Sequence, residues 1–459
     1  MGEVISVFEY DLLGSGKAAS VGAKPVPPQV FNYLEALSLA SNQGSQFLKL
    51  TSRSGFKLLQ VQNYAGMLST PHGFQLEILP KVGKNLTAAN ARQTLLTMLS
   101  HLPGFRHIQT QQATLQAQRM PLLEIFINQF LHSVSQLLKQ GLRSDYVSKQ
   151  GNLAFMKGKL MLSAQLRHNA VNRHKFCVDY DDYMPDCAAN RLLHSALDKL
   201  LSLKLSSENQ RWLYELRFAF DGIPLSRDIE RDINNLRLER GMAHYNEPMA
   251  LAQLILRGMS PSALQGNTKA ISLLFPMEAV FESFVAQTLP YELPSHLKVL
   301  PQAATYSLVK HGVKDCFKLR PDLLIQSNKP VQTEMVMDTK WKLVNSSQQT
   351  KSLYGLAQAD FYQMFAYGQK YLGGNGEMYL IYPAHDDFSQ PIPQHFAFSE
   401  TLKLWVVPYR IMAKRGERMM WPNDVSCTMS PKLDRMAASV SYSGGMRLPM
   451  NTSDKAWNN

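Results

Sequence analysis

A multidomain α+β chain is predicted: a β-rich N-terminal segment, a helical middle region and a C-terminal α/β unit. Three observations predict it. The chain has 459 residues, too many for one hydrophobic core of ordinary size. Apolar residues alternate with polar ones up to about residue 85, then recur at three- and four-residue intervals. From about residue 266, helical and strand patterns follow each other closely, as in a single α/β layer structure.

The first segment, residues 1–85, carries "VISVFEYDLL", "FLKLTSRSGFKLLQVQNYAGML" and "GFQLEILPK", punctuated by Gly, Pro and Ser, and reads as short strands. Within it "GSGK" invites a phosphate-loop reading. Lys17 is followed by Ala18 and lacks the earlier glycine of that motif, so a connecting loop is expected. Residues 86–265 are read as helical. "AANARQTLLTMLSHL", "LLEIFINQFLHSVSQLLKQGL" and "DCAANRLLHSALDKLLSLKL" each bury one stripe, and Gly141 stops the second. The basic stretch from Arg167 to Phe176 is expected as a solvated loop between helices. His168 and His174 have no third ligand in register, so no metal role is assigned.

Residues 266–411 form the α/β unit. "FPMEAVFESFVAQTL" is a helix with Phe275, Val280, Phe281, Phe284 and Val285 toward the core. Strands "LKVLPQAATYSLV", "CFKLRPDLLI" and "VQTEMVMDTKW" follow, then the helix "LAQADFYQMFAYGQKYL", stopped by "GGNG", and the strands "EMYLIYP" and "KLWVVPYRI". Residues 412–459 lose all periodicity and are expected to be a poorly ordered tail.

Composition narrows the function. At 45% hydrophobic and 18% charged, the chain is of ordinary globular type, and disordered or fibrous classes are excluded. No run of about 18 apolar residues exists, so no membrane span is expected. The N-terminus has no basic region of a signal peptide, and Gly2 with Ser6 is weak support for myristoylation. Cys177, Cys187, Cys316 and Cys427 form no CxxC pair, which argues against a disulfide framework or zinc ribbon and fits a reducing cytoplasm. The formal net charge of +12 favours a polyanionic partner, nucleic acid first, over general solubility by a small margin.

The chemistry concentrates in "LRPDLLIQSNKPVQTEMVMDTKWKL", Leu319 to Leu343. Two apolar runs flank a polar turn, so a β-hairpin is predicted, with Asp322 entering the first strand and Asp338 closing the second. Pro321, lacking an N–H, suits a strand's first residue. Asp338 and Lys340 are two apart and share a face. Two facing carboxylates and an ammonium at one sheet end are either an ordinary charged edge or half of a site for a hard cation such as Mg²⁺, which takes oxygen ligands. Asp322, Asp338 and the carbonyl of Thr339 would be its ligands, and Lys340 would sit beside the water to be activated. Glu282, on the preceding helix, would support the metal or its water. Gln363 and Tyr367, four apart on the following helix, share a face. Gln363 would orient Lys340 or the scissile phosphate and Tyr367 would touch DNA backbone, against the plainer reading of a structural Gln and a core tyrosine.

In this order, Glu282, Pro321-Asp322, Asp338-x-Lys340 and Gln363-x-x-x-Tyr367 resemble the PD-(D/E)xK nuclease superfamily and its Gln-x-x-x-Tyr branch. "FPMEAVFESFV", "LRPDLLI", "MVMDTKWK" and "DFYQMFAYGQKY" are similar to the C-terminal domain of the McrC family. "YAGMLSTPHGFQLEILPKVG" resembles that family's N-terminal barrel, with Ala65 and Met67 in place of the commoner Val and Ile. "GLRSDYV", "MKGKL", "FCVDYDDYMPDCAANRLL" and "AHYNEP" resemble its middle region. The resemblance covers about residues 1–411. It implies a restriction-endonuclease-like C-terminal domain and a Mg²⁺-dependent endonuclease subunit cutting double-stranded DNA. Its partner would be a McrB-like AAA+ GTPase hexamer, docked through the N-terminal part. That partner would bind the GTP, hydrolyse it faster when docked, and read the modified base, typically methylcytosine. Two other classes stay open: a catalytically silent subunit that only activates the motor, and a free-standing Gln-x-x-x-Tyr exonuclease.

Overall fold

The structure is a computed structural model that describes residues 4–16, 22–40, 47–70, 73–82, 87–102, 120–237, 240–257, 272–328, 330–347 and 353–422. Gly2, residues 17–21 of the connection that begins with "GSGK", Cys427 and the tail beyond residue 422 lie outside the described residues.

The N-terminal region contains β1 (Val4–Phe8), β2 (Leu12–Gly14), β3 (Lys24–Pro25), α1 (Pro28–Ala40), β4 (Leu48–Arg53), β5 (Phe56–Val61), β6 (Tyr64–Ser69) and β7 (Gln75–Leu79). β4 and β5 form a hairpin and continue through β2 to β3, giving one four-stranded sheet. β1, β7 and β6 belong to a second sheet, β1 running parallel to β7. Val7, Leu13, Val30, Leu34, Leu48, Leu59, Leu76 and Ile78 from both sheets and α1 share one core. The strands thus make two four-stranded sheets around a common core.

The middle region holds α2 (Ala88–Leu99), α3 (Leu122–Gln140), β8 (Asp145–Leu153), β9 (Lys159–Leu160), α4 (Leu162–His168), β10 (Phe176–Met184), α5 (Ala188–Leu200), α6 (Ser207–Phe218), α7 (Ile229–Asn235) and α8 (Asn246–Arg257). Helices α3, α5, α6 and α8 bury Phe130, Val134, Leu192, Leu197, Leu213 and Ala252 against one another. Gly141, at φ 98°, caps α3 with its N–H on the Leu137 and Leu138 carbonyls, as the sequence predicts. The reading as helical throughout is corrected by β8 and β10, nine residues each, which pair antiparallel with β9 alongside β10. "DYVSKQGNL" and "FCVDYDDYM" alternate, but their faces are half-exposed and carry few aliphatic residues, so the period-two signal is faint. The basic stretch starts at the end of α4 and leads into β10.

The C-terminal region begins with β11 (Ser272–Pro276). β11 completes the second N-terminal sheet by pairing antiparallel with β6. The strands press together at Gly66 (φ 134°), where a Cβ would lie 1.9 Å from the Leu273 carbonyl oxygen; only glycine fits. Pro276 then closes the strand and stands at the N-cap of α9 (Met277–Thr288), so Phe275 packs from a strand, not from the helix. There follow β12 (Leu297–Pro301), β13 (Ser307–His311), β14 (Lys314–Lys318), β15 (Leu323–Asn328), β16 (Val331–Thr339), α10 (Gln358–Tyr371), β17 (Gly376–Pro383), β18 (Phe396–Ala397) and β19 (Leu402–Tyr409). Six of these strands form a mixed sheet in the order β12-β15-β16-β17-β19-β18, with β16, β17 and β19 parallel. β13 and β14 form a separate two-stranded ribbon. Residues 412–422 are no tail: Met419 is buried, Trp421 packs on Tyr379, and Glu292 accepts the N–H groups of Gly416, Arg418 and Met419.

Candidate active site

The predicted hairpin is β15 and β16. Leu323 pairs with Met337 and Leu324 with Val336, and this register continued by one residue sets Asp322 opposite Asp338. β16 is central, flanked by β15 and β17, so its end is buried: Asp338 is 1% exposed and Thr339 9%. Asp322 is held by a strand-end clamp. Its Oδ2 accepts both the N–H of Thr339 (2.8 Å) and its hydroxyl (2.7 Å).

Asp338 is treated differently. Its Oδ2 lies 2.6 Å from Nζ of Lys340 and has no other donor among the described residues. Lys340 in turn donates to Oε1 of Gln363 (3.0 Å) and lies 3.9 Å from Oδ1 of Asp360. Burial opposes the lysine's charge, yet the facing Asp338 carboxylate outweighs that and raises its pKa, so Lys340 is a cation throughout the physiological range. The carboxylates are pushed the other way. Burial, then the Asp322 charge, lifts Asp338 to about 7. Burial, then Asp322, also lifts Glu282 on α9 to about 7, and burial raises Asp322 itself.

Helix α10 supports the cluster through one face. Gln363, clamped on Lys340, donates its amide N–H to the Tyr367 hydroxyl (2.8 Å), and that hydroxyl donates to the carbonyl of Arg320 (2.9 Å). Tyr367 is 3% exposed, so it does not lie on an open face as a DNA contact would require; it holds the backbone that delivers Asp322. One turn on, Tyr371 donates to the Leu319 carbonyl at 2.9 Å.

Sequence reasoning missed three participants. Gln302, just past β12, donates its N–H to the Asp322 carbonyl (2.9 Å) and its side-chain amide to Glu282, and stands at φ 53°, rare for a non-glycine residue. Asp360, 7% exposed, receives Lys342 (3.4 Å) and the Tyr382 hydroxyl (3.5 Å) as well as Lys340. Glu9, from the end of β1, accepts the indole N–H of Trp341, the residue after Lys340, at 3.0 Å. Only Asp360 left a trace in sequence, as the acid opening a helix three residues before Gln363.

Among the described residues no three of His, Cys, Asp and Glu converge into a ready-made metal cage. A Mg²⁺ ion does not require one. It takes one or two carboxylates and keeps several waters. The donors here are all oxygen, and a buried carboxylate oxygen whose one polar partner among the described residues is an ammonium fits a second cation. The donor set therefore suits Mg²⁺ at Asp322 and Asp338.

No curated protein matches the chain in sequence. In structure it is similar to a chain of the refined half-complex from a tetradecameric assembly of Thermococcus gammatolerans McrB AAA+ hexamers with bound McrC. The TM-score is 0.65 at 18% identity, covering 90% of this chain and 96% of that one. A chain of the Thermococcus gammatolerans McrBC complex is similar at 21% identity and a TM-score of 0.46, covering 62% and 87%. The model of the McrBC 5-methylcytosine restriction system component family matches residues 59–383, which include Glu282, Asp322, Asp338, Lys340, Gln363 and Tyr367. That span is well over half of the chain, and the protein belongs to the McrBC 5-methylcytosine restriction system component family.

Proposed function

We propose that the chain is the DNA-cleaving subunit of a modification-dependent restriction complex, a McrC-type protein with a PD-(D/E)xK nuclease domain. The observation that carries this is the cluster of buried Asp338 and half-buried Asp322 and Glu282 around Lys340, with the ammonium fixed by Gln363 and Asp338. Asp322 and Asp338 would hold Mg²⁺, with the Thr339 carbonyl as a further ligand. When bound, the ion neutralises charge growing on the phosphoryl oxygens and lowers the pKa of a water. Lys340, charged and unable to swing away, adds a fixed positive point toward the phosphate as its charge grows. Glu282, poised near neutrality and oriented by Gln302, is suited to take the water's proton. Tyr367 and Gln363 act behind this front, holding the Arg320 carbonyl and the ammonium in register.

The partner would be a McrB-like AAA+ GTPase hexamer whose hydrolysis this chain stimulates. In the similar Thermococcus gammatolerans half-complex McrC is bound to McrB AAA+ hexamers, and family membership supports the same arrangement. The exposed apolar side chains of the middle region suggest where it docks: Phe155, Met156, Leu162, Leu166 and Val171 are all 61% exposed or more. This adds the β8–β10 sheet and α4 to the docking surface expected in residues 1–85. No described helix is long and apolar enough to cross a membrane. In the test, Asp338→Ala is assayed with partner, GTP, Mg²⁺ and methylated duplex. Loss of cleavage with GTP hydrolysis still stimulated is expected, and cleavage at the wild-type rate would overturn the assignment.

A further inference from the structure

The ribbon β13–β14 stands apart from both the core and the six-stranded sheet. From Leu308 to Lys318 every residue but Cys316 is exposed, with Val313 fully exposed at the tip and Phe317 at 72%. A soluble chain does not fold a bare two-stranded ribbon for its own stability. The turn is a two-residue loop, Gly312–Val313, between the paired His311 and Lys314, and Gly312 supplies the positive φ (61°) that such a turn needs. The ribbon is also firmly rooted. Tyr371 bonds to the Ala303 and Leu319 carbonyls, its ring packs edge-on against Tyr306 at 4.9 Å, and the Leu319 N–H donates to the Tyr306 carbonyl.

Its charge is one-sided. Between residues 307 and 320 there are four Lys or Arg and one acid. Asp315 is spent on Lys310, 4.0 Å away on one face. In the pairing register His311, Lys314 and Lys318 share the other face, and Arg320 follows at the same two-residue spacing. None of Lys314, Lys318 and Arg320 has an acidic partner among the described residues. At about 3.3 Å per residue the row from Lys314 to Arg320 runs about 20 Å, the axial length of about six base pairs. It ends two residues before Asp322. Phe317 stands among these cations in left-handed backbone (φ 56°), a conformation a bulky residue rarely holds.

We propose that the ribbon Ser307–Lys318 is the arm that grips duplex DNA beside the cleavage site, with Lys314, Lys318 and Arg320 on backbone phosphates. A two-stranded ribbon is of a size to enter the major groove, and the row of cations gives it a polyanion to bind rather than an apolar partner. The shared root is the mechanical point: Tyr371 and Tyr367, one turn apart on α10, hold the ribbon base and the Arg320 carbonyl, so duplex seated on the ribbon is fixed relative to Asp322 and Lys340. The inference rests on the nuclease reading and adds where the substrate lies.

The test is metal-free binding of the full-length chain to a fluorescein-labelled duplex, followed by anisotropy over a salt series. Lys314→Glu/Lys318→Glu is expected to weaken binding at least about tenfold at low salt and to reduce the slope of log affinity against log salt by about 2, one for each lost phosphate contact. Lys49→Glu/Arg53→Glu, on β4, carries the same change in net charge at an exposed strand and is expected to keep the wild-type slope. Equal slopes for the two double variants, or wild-type affinity in the ribbon variant, overturn the proposal and leave the nuclease reading standing. A ribbon variant that binds duplex normally but no longer stimulates the partner's GTP hydrolysis assigns the ribbon to the motor and overturns it too. Failure of the nuclease reading shows separately, as wild-type cleavage by Asp338→Ala.

Discussion

Buried carboxylates occur in two regions of this molecule, and they are treated in opposite ways. In the N-terminal and helical scaffold each is saturated with donors. Glu77, 1% exposed, accepts from both nitrogens of the Arg92 fork, from Ser6 and from the free N–H of Leu122, so it caps α3 from a neighbouring sheet. Glu124 accepts from the Ser206 N–H and hydroxyl and from Asn209, tying α3 to the start of α6. At the end of β16, Asp338 is as deeply buried as Glu77 and has one ammonium. The scaffold acids are joints. Asp338 instead keeps a buried carboxylate oxygen whose one polar partner among the described residues is the Lys340 ammonium.

The contrast breaks most sharply at the cation. Lys340→Ala leaves Asp338 with no counter-charge and removes the fixed positive point beside the phosphate. Cleavage is expected to fall about 1000-fold, the scale of losing one preorganised electrostatic group, with partner binding retained. Single-turnover cleavage by the purified complex measures it. A loss of only a few-fold would make the lysine an edge charge after all.

The scaffold half of the comparison is next in size. Glu124→Ala strands the Ser206 N–H and the Asn209 amide in a buried setting. It should cost about 3 kcal/mol of stability, read by urea unfolding, while the folded fraction cuts at the wild-type rate. If Glu124→Ala cut slowly while unfolding normally, the division between joints and site would collapse.

These two kinds of acid were not equally legible in sequence. The site acids sit in local patterns: Pro321-Asp322 and Asp338-x-Lys340 flank a hairpin whose alternation dictates its register, and Gln363 and Tyr367 follow at helix spacing. The joints depend on contacts between distant segments. Glu77 meets Leu122 and Glu124 meets Ser206 only once three elements have packed, and Glu9 reaches Trp341 across the whole chain. The same limit hid β11, whose "SLLFP" runs straight into a helical pattern and reads as its beginning. Its partner β6 lies about 200 residues earlier, and Gly66 is interpretable only after the two strands meet.

Proton competition tests the site acids directly. Asp338 and Glu282 titrate near 7 without metal, above an ordinary carboxylate. Protons therefore compete with Mg²⁺ through neutrality, and the Mg²⁺ concentration for half-maximal cleavage should rise about tenfold from about pH 8 to about pH 6. The stability of the metal-free protein carries the opposite sign. The fold keeps these protons where the unfolded chain has lost them, so the groups' contribution is complete below the unfolded value near 4.5 and lost as pH rises through about 7. Glu282→Gln removes one titrating group, and its thermal midpoint should fall less than the wild type's between about pH 6 and about pH 8. A parallel fall in both proteins would mean that Glu282 is an ordinary solvated acid.

The smallest effect lies behind the site, where the two regions' logic meets. Tyr367 is a buried donor used as a joint, yet what it joins is the backbone carrying Asp322. Burial raises its hydroxyl to about 12, so it stays protonated and donating wherever the enzyme works. Tyr367→Phe removes one hydrogen bond to the Arg320 carbonyl and one acceptor for Gln363, worth about 1 kcal/mol, or about fivefold in rate. The ring remains, so packing and thermal midpoint should barely move. A positioning role lowers kcat with KM for duplex unchanged, because Asp322 and Lys340 lose their mutual register while the binding surface keeps its charges. A rise in KM alone would instead place the Tyr367 hydroxyl against DNA, and the joint would have to be sought in Tyr371.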